Sequence, residues 1–160
     1  MSSADKNLSS TGNIPDAASM RVAIVVSSWN AEITESLYKA AFDTLVQSGC
    51  YEQDIMRHNV PGSFELPLGA KWALDTLTPD AVICLGCVIQ GETRHFDFIC
   101  QVVSSGIMSL NIEYAVPVIF GVLTTENMDQ ARERSGGKHG NKGVEAAATA
   151  IQMIALGRDL

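Results

Sequence analysis

A three-layer αβα sandwich built on a four-stranded parallel sheet is the fold class that the sequence predicts, and three observations lead to it. Four apolar, β-branched runs recur along the chain, each followed by a stretch with helical periodicity; that alternation places helices on both faces of a parallel sheet. Three of the runs are apolar at nearly every position rather than at every second one, as strands covered on both faces require; the second, over 54–60, is weaker. With 160 residues and 46% hydrophobic composition, the chain has the size of one domain with a complete core.

The elements follow in order. Arg21–Ser27 (RVAIVVS) is the first strand, and a helix over Glu32–Ser48 comes next, with Ile33, Leu37, Ala40, Ala41 and Leu45 on one face and Gly49 as its stop. Asp54–Val60 is a weaker second strand, ended by Pro61-Gly62. A second helix starts near Glu65, with Pro67 in its first turn, where a missing N–H costs little, and Leu66, Ala70, Ala73, Leu74 and Leu77 inward. Ala81–Ile89 (AVICLGCVI) is the third strand; the turn Gln90–Arg94 leads into a helix over His95–Asn111. Pro117–Thr124 is the fourth strand. Helical pieces over Glu126–Arg134 and Lys142–Leu156 close the chain, separated by a loop over Ser135–Asn141. Right-handed crossovers then give a doubly wound sheet of flavodoxin-like topology. Residues 1–20, rich in Ser, Asn, Asp and Ala, are expected to be a flexible segment ahead of a single domain over 21–160.

Composition excludes several functions. A formal net charge of -7 argues against nucleic acid or an anionic membrane as main partner. No run approaches the roughly 18 apolar residues of a membrane span, and residues 1–20 lack the apolar stretch of a secretory signal, so a cytoplasmic location is expected. Cys84 and Cys87 have the C-x-x-C spacing of redox and zinc sites. On a strand, however, residues three apart point to opposite faces, so the two thiols read as small buried hydrophobes. No other Cys or His stands at ligand spacing, and no metal is expected.

In sheets of this class ligands bind outside the carboxyl ends of the strands. The unusual residues collect there: Trp29-Asn30 after the first strand, Ser63-Phe64-Glu65 after the second, Gln90–His95 after the third and Thr124-Thr125-Glu126 after the fourth. Gly91-Glu92-Thr93 enters a helix, where free N–H groups and the dipole suit phosphate; a plain helix cap is the competing reading. His95 at that helix start would be kept neutral by the dipole and able to shuttle protons, or it is a surface histidine. Arg132, Arg134, Lys138 and Lys142 cluster as a solvated helix end or as a second anion-binding arm led by Arg134. Trp29, Phe64 and Phe120 are core aromatics or a slot for a flat heterocycle.

Several of these stretches together resemble the lumazine synthase family: Ser28-Trp29-Asn30-Ala31-Glu32-Ile33, Val60 to Pro67 (VPGSFELP), Val88 to Asp97 (VIQGETRHFD), Pro117 to Glu126 (PVIFGVLTTE), Gln130-Ala131 and Asn141-Lys142-Gly143. The resemblance runs from Arg21 to the C-terminus. It implies condensation of 5-amino-6-ribitylaminouracil with 3,4-dihydroxy-2-butanone 4-phosphate, releasing phosphate and water. It further implies stacking on Trp29, ribityl contacts from Asn30, Ser63, Phe64 and Glu65, and a heterocycle pocket of Val88, Ile89 and Gln90. Phosphate would meet Gly91, Glu92 and Thr93, and His95 would transfer the proton. Phe120, Arg134, Lys142 and Glu145 would come from an adjacent chain, Arg134 clasping the phosphate. Pentamers are implied, and the short loop Gly136–Asn141 resembles members that close into sixty-chain shells, with riboflavin synthase as a possible partner. Trp29 stands where the family most often has Phe, which implies tighter retention of flavin-like ligands. An amine and a ketone condense unaided once held together, so no metal or organic cofactor is expected. A flavin carrier fits less well, because Ser27-Ser28-Trp29-Asn30 lacks the glycines of a phosphate loop; a receiver module lacks its acidic residues.

Overall fold

The computed structural model describes residues 11–160, so the first half of the expected flexible segment lies outside the described residues. Strands β1 (Val22–Ser27), β2 (Ile55–Val60), β3 (Ala81–Ile89) and β4 (Val118–Thr125) form one parallel sheet in the order β2-β1-β3-β4. Side chains alternate across it. Val22, Ile24 and Val26 of β1 and Ile83, Leu85 and Cys87 of β3 pack beneath α1 (Ala31–Gln47), α4 (Met128–Glu133) and α5 (Lys142–Asp159). Ala23, Val25, Val82 and Cys84 face α2 (Leu66–Leu77) and α3 (His95–Tyr114) on the other side. The three-layer, flavodoxin-like sandwich is therefore present; the central strands β1 and β3 are apolar at successive positions because both faces are dry, while edge strand β2 (IMRHNV) is partly exposed. Among the described residues, no helix is long and apolar enough to cross a membrane.

Cys84 and Cys87 lie in opposite layers, as the strand period requires. Burial pushes the Cys84 thiol up to about 12 and that of Cys87 up to about 11. Thiolate is the reactive form. Folded protein at pH 8 is thus expected to leave both unlabelled by an alkylating reagent, while denaturant opens all four cysteines; intact mass distinguishes the two, and labelling of Cys84 in the folded state would contradict the packing.

Helices α3 and α5 each run three residues past their expected ends, to Tyr114 and Asp159, and three further regions differ from expectation. The region Ser135–Asn141 is a small antiparallel hairpin, β5 (Ser135–Gly137) and β6 (Gly140–Asn141), rather than an open loop. Gly136 (φ 117°) and Gly140 (φ 84°) supply the left-handed conformations that turn it. Helix α4 starts at Met128, not Glu126, because β4 continues through Thr125 and the Asn127 side chain accepts the Gln130 N–H at 2.9 Å as a cap. Finally, the chain joins the core before Arg21. Ala17 and Met20 are buried, Ile14 packs against the same cluster, and the Ala17 N–H donates to the Ser48 carbonyl at 2.8 Å. Flexibility across the whole of 1–20 does not describe residues 14–20; their isolated apolar positions anchor an otherwise polar stretch.

Candidate active site

After β1 the chain crosses over α1 to β2 on one side, and after β2 it crosses over α2 to β3 on the other. Strands β1 and β3 are neighbours whose connections diverge, so a crevice opens beyond their carboxyl ends. There lies a cleft of about 250 Å³. Trp29 and Asn30 come to it from the β1 end, Ser63 and Phe64 from the β2 end, Cys87, Val88 and Ile89 from β3, and His95 and Ile99 from α3.

Local bonds explain the shape of the first wall. The N–H groups of Ser28 and Trp29 both donate to the Pro61 carbonyl at 3.1 Å, tying the β1 and β2 loops together. Asn30 adopts a left-handed conformation (φ 56°, ψ 48°), which Asn tolerates better than most residues, and its amide Nδ2 donates to the Cys87 carbonyl at 2.9 Å. The reversal turns the Trp29 indole outward, 67% exposed, with Phe64 also exposed. Glu65 Oε2 accepts the Gly62 N–H at 3.0 Å, closing a single 3-10 turn over Ser63–Glu65. Asn30 and Glu65 thus hold the wall itself with one polar atom each.

Gln90 donates its N–H to the Thr125 carbonyl at 2.8 Å, which fixes the far end of β3. Gly91, Glu92, Thr93 and His95 are all exposed at the entrance to α3, and Thr93 Oγ1 accepts the His95 N–H at 3.4 Å. Nothing in the chain demands glycine at 91: its φ is not left-handed, and a Cβ there would meet nothing within 4 Å. The open backbone is free for a ligand to approach closely. Ile99 was not anticipated from sequence, although it sits four residues after His95 and hence on the same helical face.

The remaining predicted residues form a second group. Phe120, Lys142 and Glu145 line a larger groove of about 570 Å³ along the free edge of β4, between α3 and α5. It shares no lining residue with the cleft. Arg134, at the end of α4, donates from Nη1 to the His139 carbonyl at 2.5 Å and from Nη2 to Glu145 Oε1 at 2.7 Å. Lys142 Nζ meets the other carboxylate oxygen of Glu145 at 3.1 Å. Burial alone would raise the Glu145 carboxyl. The Arg134 hydrogen bond, the Lys142 charge and hydrogen bond, and the Arg134 charge outweigh it and hold the group below its ordinary value. Two cations therefore share one carboxylate. Arg132 separates from it, pairing instead with Glu32 at 2.7 Å and Asp129 at 3.1 Å. The basic run splits into a structural half and a cationic site.

Two unlike pockets thus lie apart on the chain, one walled by exposed aromatics and the other bordered by Lys142 and Glu145. A family model described as 6,7-dimethyl-8-ribityllumazine synthase matches residues 19–158. The chain belongs to that family. Similar proteins named 6,7-dimethyl-8-ribityllumazine synthase include one from Cytophaga hutchinsonii, 61% identical over 97% of this chain and 98% of its own length. Another, from Flavobacterium johnsoniae, is 56% identical over 96% of this chain and 82% of its own length. A third, from Parabacteroides distasonis, is 49% identical over 96% and 98% respectively. The lumazine synthase family consists of enzymes that carry out a transferase-type step of riboflavin biosynthesis.

Proposed function

We propose that the chain catalyses the lumazine synthase reaction at a site composed of both half-pockets, the second supplied by a neighbouring subunit. The observation that carries this reading is the separation of Phe120, Lys142 and Glu145 from the Trp29–His95 cleft within one chain. On this reading the indole of Trp29 stacks on the pyrimidine, with Val88, Ile89 and Gln90 along its edge. Ser63, Phe64, Asn30 and Glu65 surround the ribityl chain. Phosphate meets the backbone of Gly91 and Glu92 and the hydroxyl of Thr93, and it is clasped by Arg134 across the interface beside Lys142, Glu145 and Phe120.

Chemistry then needs little beyond positioning. The amine of the uracil attacks the ketone carbon, water leaves as an imine forms, a proton moves from carbon, and phosphate departs by elimination. The ribitylamino nitrogen then closes the ring onto the remaining carbonyl, and a second water leaves. Holding the two reactants in register supplies most of the acceleration. His95 moves the proton, and the cations stabilise the departing phosphate. The reading also carries assembly: pentamers, with the short hairpin turn favouring a sixty-chain shell in the cytoplasm and riboflavin synthase as a possible partner. Neither half-pocket completes the other in one subunit, which is what supports association.

Mixing the two substrates and following lumazine absorbance and fluorescence against the uncatalysed background tests the activity. Turnover well above background is expected, and His95→Ala is expected to lower kcat by about tenfold, a small loss for a proton-transfer group because proximity survives. Parent rates equal to background would reject the activity; a His95→Ala rate equal to the parent would reject that role.

A further inference from the structure

We propose that Gly62 is a specificity-determining positioning residue: its missing Cβ seats the Trp29 indole on the backbone and so sets the width of the aromatic cleft. The inference rests on the reading of that cleft as the heterocycle half-site. Gly62 has φ -128° and ψ 179°, extended backbone that any residue adopts, so conformation does not call for glycine. Space does. A Cβ at this position would lie 2.6 Å from both Cε3 and Cζ3 of Trp29 and 3.3 Å from Glu65 Oε2. Ordinary carbon contacts begin near about 3.5 Å.

Which partner yields decides the consequence. The backbone of residue 62 is held at both ends: its N–H donates to Glu65 Oε2 at 3.0 Å and its carbonyl accepts the Glu65 N–H at 3.2 Å. Pro61, its neighbour, is tied to Ser28 and Trp29. Trp29, by contrast, is 67% exposed. An added methyl therefore displaces the ring rather than the turn, and the ring is a wall of the cleft. The fold is kept while the stacking surface moves. Gly62 thus acts on the flat heterocycle and leaves the Arg134 half untouched.

Gly62→Ala is expected to raise KM for the ribitylaminouracil about tenfold, within the range that overpacking produces. KM for the ketone phosphate is expected to change less than about twofold, since its ligands are remote from the displaced ring. In a Trp29→Ala background the same change should add no further rise, because no ring remains to be displaced. A second readout is independent of turnover. The chain has two tryptophans, so Trp72→Phe leaves Trp29 as the only one, selectively excited to the red of the three tyrosines; Gly62→Ala should then shift its emission. Unchanged emission, an equal rise in both KM values, or a full tenfold loss without the indole would each overturn the proposal. If the parent makes no lumazine, the activity assignment fails, and the emission experiment still judges the Gly62–Trp29 contact.

Discussion

Arg134→Ala is expected to lower kcat/KM by about a hundredfold, the loss typical of removing one fixed donor aimed at developing charge. It should fall on the ketone phosphate, with KM for the ribitylaminouracil nearly unchanged. Arg134 is held before any ligand arrives: one arm of the fork is fixed by the His139 carbonyl and the other by Glu145. Arg134→Lys should recover little, because a single ammonium cannot reproduce a planar fork bonded to both. The pH dependence follows from Glu145. Its carboxyl is held below the ordinary value in the folded chain, so the ion pair is fully formed above the usual carboxylate range. It is lost as pH falls through the lowered folded value, so the pre-set orientation of Arg134 should loosen in that acid window, below the pH of about 6 at which the phosphate ester itself takes up a proton. Coexpression of Arg134→Ala with a variant damaged only in the aromatic half, Trp29→Asp, separates a shared site from a single-chain one. Random pairing across interfaces rebuilds roughly a quarter of shared sites. Mixed oligomers no more active than either variant alone would contradict a site built from two subunits, and a parent-like Arg134→Ala would remove its assigned role.

Much of this was legible in the chain, and the limits have physical causes. Strands showed clearly because burial on both faces imposes a continuous apolar run, as in Ala81–Ile89, whose bounds the structure repeats. The rim residues were legible because the carboxyl ends of parallel strands gather them whatever the side-chain detail. The hairpin after α4 was not, since a run such as Ser135-Gly136-Gly137 carries no alternation; its pairing depends on two left-handed glycines and on Ser36 Oγ donating to the Ser135 carbonyl from 99 residues away. Residues 14–20 look flexible in the sequence because their scattered apolar positions make no periodic pattern, although tertiary burial holds Ile14, Ala17 and Met20. Within the site, the residue types that could bind a ligand were visible, but their prior engagements were not. That Asn30 holds Cys87 and Glu65 holds Gly62 follows from loop geometry alone. The roles of Gly62 and Gly143 were equally hidden, because what a glycine makes room for lies elsewhere in the chain.

Gly143→Ala is expected to destabilise the fold by about 3 kcal/mol or more. A Cβ on Gly143 would lie 2.0 Å from the Leu37 carbonyl oxygen and 2.8 Å from its carbon. Both are backbone atoms inside α1, and Leu37 itself is fully buried, so no side chain can swing aside as Trp29 can. The first turn of α5 is further pinned by Asn141, whose Oδ1 accepts the Gly143 N–H at 2.8 Å and whose Nδ2 reaches the Ser36 carbonyl at 3.3 Å. Relief must come from parting α1 and α5. A fall in Tm of about 6–12 °C is expected for a domain of this size, compared at equal protein concentration because association shifts the midpoint. Gly157→Ala, on the same helix, provides the control. Nothing lies within 4 Å of a Cβ there, so the better helix former should gain about 0.5–1 kcal/mol. Since Lys142 and Glu145 ride on the turn that Gly143 seats, the surviving folded Gly143→Ala protein should also bind the phosphate substrate more weakly while the aromatic cleft is unaffected. Equal melting temperatures for the two alanine variants would mean that the helices part at no cost, and the depth of α5 would then be set by something other than this contact.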